Sequence, residues 1–196
     1  TMLVKCEGGG ALRIIAGTLK GRRYSIPGRL AARPTAERVR ESLFSILRGR
    51  IEGASALDLF AGSGALGIEA LSRGAARVVF CDIDRRAAAV IGAVLRRFGM
   101  PADRYEIVQA DFRQALARFG REGRRFDVAF VDPPYGAGFE TAALAPLCGQ
   151  FMARDGVVVL ERARRQPPPA IPAGWIADER RYGDTALFIL QREEAP

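Results

Sequence analysis

From residue 54 onward, short apolar runs alternate with longer amphipathic ones, and this alternation constrains the fold more than any other feature of the chain. Residues 56–60 read as a buried strand, 65–73 as a helix, 77–81 as a second strand and 85–98 as a second helix. Further strands are expected at 105–108, 126–131 and 156–160. The run Phe126-Asp-Val-Ala-Phe-Val131 is almost unbroken in apolarity, as in the middle of a parallel sheet covered on both faces. Four prolines within 166–172 make a rigid connector that cannot be helix interior. Residues 175–182 and 186–190 then read as strands joined at Gly183-Asp184, with no room for a crossover helix, so they predict an antiparallel hairpin. Repeated βα units imply an α/β fold: a doubly wound, mostly parallel, seven-stranded sheet ending in that hairpin.

The first fifty residues differ in character. Of the 30 lysines and arginines in the chain, 11 lie in residues 1–50, against only 3 of the 22 acids, so the whole net charge of +8 sits there. Residues 1–11, with Gly8-Gly9-Gly10, read as a flexible leader lacking the pattern of a secretory signal. Residues 12–26 predict a β-hairpin punctuated by Gly17 and Gly21, followed by a loop at Pro27, Gly28 and Pro34. Thr35 is placed to cap a helix whose apolar stripe is Val39, Leu43, Ile46 and Leu47, with Arg38 and Arg40 on its other face. The expected organisation is a leader (1–11), a basic hairpin and helix (12–50) and a charge-balanced domain (51–196). A basic segment on a neutral domain points to a polyanionic partner, nucleic acid above all. Lys20, Arg22, Arg23, Arg33, Arg38 and Arg40 are the candidates for phosphate contacts.

Composition removes several chemistries. With no histidine, Ser-His-Asp and Cys-His nucleophile systems and His-ligated metals are excluded. Cys6, Cys81 and Cys148 are scattered, with neither metal-ligand spacing nor a disulfide framework, as in a reducing cytoplasmic setting. No apolar run approaches the roughly 18 residues of a membrane span. A monomer that uses no metal is expected.

Two motifs carry chemistry. In Asp58-Leu-Phe-Ala-Gly62-Ser-Gly64-Ala-Leu-Gly67, glycines at a strand-to-helix turn let the backbone approach a ligand, and Asp82 follows near the spacing of a ribose-binding acid. That pattern alone also fits a nicotinamide-binding domain. Asp58 tilts the reading, because an acid inside a buried strand needs a partner, and a cationic sulfonium amino acid suits it where a pyrophosphate does not. Asp58 also fits a capping acid for the turn. In Asp132-Pro133-Pro134-Tyr135, the prolines fix the backbone and leave carbonyls as acceptors. Asp132 and the Pro133 carbonyl can accept both hydrogens of an amino group, and Tyr135 can stack on the ring that bears it.

These residues carry a resemblance. Residues 132–135 resemble the (Asp/Asn/Ser)-Pro-Pro-(Tyr/Phe) signature of amino-nitrogen methyltransferases. Residues 33–47 and 57–75, with Arg13-Ile-Ile-Ala-Gly17, Lys20-Gly-Arg22 and Tyr182-Gly-Asp-Thr185, are similar to the bacterial family that methylates guanine N2 in 16S rRNA. The likeness runs from about residue 13 to 190. It implies a Rossmann-like class I methyltransferase fold, S-adenosylmethionine as donor, and 16S rRNA or a small-subunit assembly intermediate as partner. It implies residues 132–135 as the amine site and a cofactor site of Asp58, Phe60, Ala61, Gly62, Ser63, Gly64, Asp82 and Ile83. Asp111 would meet the adenine amino group, with Phe112 beside it, although Asp111 alone also fits a helix cap. The pattern departs at Asp82, where the family usually has Glu, and around Ala93-Val94 and at Ser45, where it has Asn. DNA adenine-N6 and protein glutamine-N5 methyltransferases share the Pro-Pro-Tyr logic, and a catalytically idle RNA-binding assembly factor is the non-enzyme alternative.

Overall fold

A computed structural model describes residues 10–28, 37–134 and 138–193. The leader up to residue 9, Arg33, the proposed Thr35 cap and Tyr135 lie outside the described residues. The chain opens with a hairpin of β1 (Gly10–Arg13) and β2 (Arg23–Ile26), then α1 (Glu37–Ile46). There follow β3 (Ser55–Asp58), α2 (Ala65–Ser72), β4 (Arg77–Asp82), α3 (Arg85–Arg97), β5 (Tyr105–Gln109), α4 (Phe112–Arg121), β6 (Phe126–Val131) and α5 (Phe139–Pro146). A π-turn at Leu147–Phe151 leads into β7 (Met152–Ala163), and β8 (Trp175–Tyr182) and β9 (Thr185–Arg192) end the fold.

The large sheet has the order β5-β4-β3-β6-β7-β9-β8. β3 to β7 pair in parallel, and β9 pairs antiparallel with both β7 and β8. This is the expected doubly wound sheet with its terminal hairpin. The order reverses between β3 and β6, which makes the crevice beyond their carboxyl ends the topological switch point. Asp58 pairs with Phe130 across that junction, so the glycine-rich turn after β3 and the Asp132-Pro133 step after β6 emerge side by side.

The side chains form two layers of core. On one face, Ile68 and Leu71 of α2 and Ile91 and Leu95 of α3 pack on Val78, Phe80, Val128 and Phe130. On the other, Leu116 and Phe119 of α4 and Leu144 of α5 pack on Val79, Ala129 and Val158. The hairpin residues Leu12, Ile14, Leu19, Tyr24 and Ile26 belong to the first of these cores, not to one of their own. Among the described residues, no helix is long and apolar enough to cross a membrane.

Two details differ from the spacing-based expectation, and a third agrees with it. Ile46 is 36% exposed, and α1 buries Phe44 and Arg40 beside Val39 and Leu43 instead. β7 starts at Met152, four residues before Gly156, because a register shift between Phe126 and Val128 lets its first residue pair with β6. The connector between β7 and β8 holds no helix, as its prolines require.

Candidate active site

The turn after β3 is built from backbone. Gly62 and Gly64 have φ of +49° and +76°, the left-handed region where a Cβ is penalised. The Gly64 N–H donates to the Ala61 carbonyl at 2.6 Å, and the Ala61 N–H to the Cys81 carbonyl at 2.9 Å, so the turn is tied to the neighbouring strand. Gly67 has a different task. A Cβ there would lie 2.2 Å from the Phe80 ring, so its absence lets α2 settle onto the sheet.

Two carboxylates organise this turn. Asp58 is 3% exposed, and its Oδ2 accepts from the Gly67 N–H at 3.0 Å. Burial pushes its pKa from 3.8 up to about 7; the Gly67 N–H works against that rise, and the charge of Asp82 adds to it. Asp82 is half-buried at the end of β4. Its Oδ2 accepts from the Gly62 N–H at 2.7 Å and its Oδ1 from the Asp84 N–H at 2.8 Å. The expected ribose acid thus also fixes the two turns that flank it. Ile83 beside it is 70% exposed, a large apolar side chain on the rim of the crevice. Asp84 caps α3 by accepting from the Arg86 N–H.

Asp111 caps α4: its Oδ1 accepts from the Arg113 N–H at 2.8 Å, and Arg113 pairs with it at 3.6 Å. Phe112 is buried and meets Phe60 and Phe139 with ring centroids 5.1 and 5.6 Å away. Phe60 and Phe139 lie parallel within 4°, 6.3 Å apart. The Arg113 guanidinium covers both Phe112 and Phe139, at 4.4 and 5.3 Å. Phe139 and Arg113 are site features that motif reading missed. The only hint in the sequence was an aromatic residue shortly after the Asp-Pro-Pro-Tyr motif.

Asp132 is half-buried at the end of β6, Pro133 is buried and Pro134 is exposed. Just beyond, Glu140 on α5 forms a buried ion pair with Arg162 of β7 at 3.1 Å, both under a tenth exposed. Arg162 also donates to the Pro167 carbonyl, so it joins the segment after the Pro-Pro step to the proline-rich connector. Glu161 is buried beside it.

The basic candidates separate. Lys20, Arg22, Arg23 and Arg38 are exposed. Arg40 is not: it is 2% exposed and donates to the Arg13 carbonyl at 2.8 Å, holding α1 against the hairpin. The expected outward face for Arg40 is therefore corrected to a structural place in the core.

A doubly wound sheet of this strand order, with a buried acid at the end of its first parallel strand, a glycine turn after it and an Asp-Pro-Pro step after its fourth, defines a Rossmann-like class I methyltransferase fold. The family model described as Conserved hypothetical protein 95 matches residues 12–191, and the chain belongs to that family. It is 36% identical over 191 residues to the Escherichia coli K12 protein named ribosomal RNA small subunit methyltransferase D, covering 95% of this chain and 93% of that one. It is 32% identical to the Haemophilus influenzae protein of the same name, covering 93% and 94%. The solved structure of yhhF from Escherichia coli superposes with a TM-score of 0.82 at 32% identity, over 95% of this chain and all (100%) of that one.

Proposed function

We propose that this protein transfers a methyl group from S-adenosylmethionine to the exocyclic N2 of a guanine in 16S rRNA. The observation that carries this reading is the adjacency, at the β3/β6 switch point, of a cofactor-type turn and an amine-type acceptor pair. The relatives' names supply the substrate class. The residues present fit the donor: a buried carboxylate at Asp58 suits an ammonium group, the turn at Gly62, where a Cβ would meet only the Phe60 carbonyl at 3.9 Å, admits close backbone approach, and the Asp82 carboxylate suits ribose hydroxyls. Ile83 and the aromatic group of Phe60 and Phe112 offer apolar surface to a purine. Ala61 and Ser63 complete the turn. S-adenosylmethionine, when bound, supplies an electrophilic methyl on a sulfonium.

The chain's own residues prepare the nucleophile. An aryl amine attacks poorly because its lone pair is delocalised into the ring. Asp132 and the Pro133 carbonyl accept its two hydrogens, which favours a pyramidal nitrogen with its lone pair free. Pro134 holds the step rigid, and Tyr135 stacks on the base. As the N–C bond forms, the methyl–sulfur bond of the bound donor would break, its electron pair returning to sulfur to leave a neutral thioether, and the amine loses one proton to Asp132 or to water. Lys20, Arg22, Arg23, Arg33 and Arg38 hold the phosphate backbone, while the target base, unpaired or splayed out, enters the crevice.

The test is incubation with tritiated S-adenosylmethionine and unmodified small-subunit rRNA or particles, followed by digestion to nucleosides. Labelled N2-methylguanosine is the expected product. Label in DNA or in glutamine of a protein, with none in RNA, would overturn the substrate assignment. Asp132→Ala should abolish transfer while donor affinity by calorimetry stays within about twofold; retained turnover would remove Asp132 from the mechanism.

A further inference from the structure

Helix α3 carries arginines that the basic N-terminal segment does not account for. It contains four, Arg85, Arg86, Arg96 and Arg97, and no acid. All four are exposed, and so are Ala89 and Ala93, which lie between them on the same side of the helix at i, i+4 spacing. The exposed stripe is therefore cationic at both ends and low in the middle. At its first turn Arg86 is neutralised by Asp84 at 2.7 Å. At its last turn, Arg96 and Arg97 form no ion pair among the described residues.

The hairpin closes onto that last turn. Arg22 donates to the Phe98 carbonyl at 3.4 Å, and its guanidinium lies 5.3 Å from the Phe98 ring centre. Arg97 lies 5.9 Å from the same ring. Tyr24 meets Phe98 edge-on at 6.4 Å. Two arginines thus share one aromatic ring, with Arg96, Lys20 and Arg23 exposed nearby in sequence. Among the described residues, none of these five cations forms an ion pair. Elsewhere some exposed arginines are matched, Arg77 and Arg118 with Glu106, Arg180 with Asp178 and Arg181 with Glu179, while others, Arg121 and Arg125 among them, form no ion pair among the described residues; what sets this patch apart is that Arg22 and Arg97 gather on one ring. Like charges gathered without a counter-charge repel one another, and an external polyanion relieves that repulsion.

The placement gives this patch a direction. Asp84, the cap of α3, follows Asp82 at the mouth of the crevice, and the thirteen residues of the helix carry the chain about 20 Å away to Phe98. We infer that the exposed stripe of α3 is a second phosphate-binding surface, continuous with the hairpin, along which the RNA backbone runs from the crevice to the Arg22–Phe98–Arg97 cluster. This rests on RNA being the substrate. The stripe fits a backbone and not a base, since it offers cations and small side chains and, Phe98 apart, no stacking surface. It anchors RNA well away from the target nucleotide, so it sets register and affinity, not chemistry.

The experiment compares the full-length wild type with Arg96→Ala/Arg97→Ala and, as a control of equal charge loss, Arg121→Ala/Arg125→Ala on exposed positions after and at the end of α4. In vitro transcribed small-subunit rRNA is bound at several salt concentrations. Melting temperature and S-adenosylmethionine affinity are read in parallel. The α3 pair should lose about tenfold in RNA affinity at low salt. Its plot of log affinity against log salt should be shallower by about 1.4 to 1.8, two contacts' worth. The control pair should track the wild type, and donor affinity should not move. An unchanged slope for the α3 pair, or an equal loss in the control pair, overturns the inference. So does a defect seen only on assembled particles with naked rRNA bound normally, which would assign the stripe to a ribosomal protein. If the wild type itself neither binds nor labels RNA, the substrate reading has failed instead, so the two failures are separable.

Discussion

Asp58 holds a carboxyl where water cannot solvate its charge, and burial lifts its pKa from 3.8 to about 7. The native state therefore keeps a proton that the unfolded chain has released. The stability this contributes is fully present below about pH 3.8 and declines as pH rises through about 7, by on the order of 4 kcal/mol in all. Asn can still accept from the Gly67 N–H but has no charge to bury. Asp58→Asn should thus melt higher than wild type at pH 8 and alike near pH 4, while losing donor binding. Calorimetric melts at the two pH values decide it; identical melting at pH 8 would mean that the wild-type charge is already compensated. At this scale the sequence was partly legible. An acid in an apolar strand stands out, as does a Pro-Pro step, because each breaks a local rule. Arg40 misled for the opposite reason. Its charge suggested solvent, yet it stands three, four and seven residues before Leu43, Phe44 and Leu47, which is the buried spacing of the helix.

Between elements, α2 is the joint of the molecule. It begins at the glycine turn, and its far half grips the hairpin through polar groups. Buried Glu69 accepts from the Ile15 N–H at 2.8 Å and the Ala16 N–H at 3.0 Å, and pairs with Arg73 at 2.7 Å. Ser72 takes the next turn of the same segment: its hydroxyl donates to the Ala16 carbonyl and accepts from the Leu19 N–H, and its carbonyl accepts from the Thr18 N–H. Gly17 fits only because it lacks a side chain, since a Cβ would lie 1.8 Å from the Ser72 carbonyl oxygen. Glu69→Ala leaves two partly buried amide donors and one partly buried arginine without their acceptor, at a cost of roughly 3 kcal/mol. Urea denaturation should show the midpoint falling with little change in slope. A loss under about 1 kcal/mol would mean that water replaces the carboxylate. None of this was visible in the sequence. Period and turn residues announce elements, but a buried Glu on a helix looks like a surface Glu until the segment it binds is in place. The sheet was far more legible, because both the apolar runs and the impossibility of a helix between residues 182 and 185 are local facts.

At the scale of the whole molecule, charge and packing divide the chain differently. Charge draws a line near residue 50, with the excess of +8 before it. Packing draws none, since Leu12, Ile14, Tyr24 and Ile26 of the hairpin and Leu43 and Phe44 of α1 lie in one core with Ile68, Val128 and Phe130. Ser42 of α1 also hydrogen-bonds Tyr182 of β8, near the far end of the chain. The basic segment is thus the cover of one face of the sheet as well as the bearer of charge, and the two roles make different predictions. If it were only an RNA-binding appendage, a chain starting at residue 51 would fold, bind the donor and lose only RNA affinity. As a cover, its removal exposes the apolar surface of α2 and the sheet and leaves the Glu69 carboxylate and Ser72, which accept from the amides of that segment, without those partners. Truncation should therefore lower the melting temperature by well over the roughly 2–8 °C expected for a 1 kcal/mol loss, and drive association through the uncovered face. Donor affinity should fall with it, because α2 carries the turn at Gly62 and Gly64. Thermal melting, light scattering and donor calorimetry on the truncated chain separate the two cases. A monomeric, cooperatively melting fragment with wild-type donor affinity would restore the appendage view and make the charge boundary a true structural one.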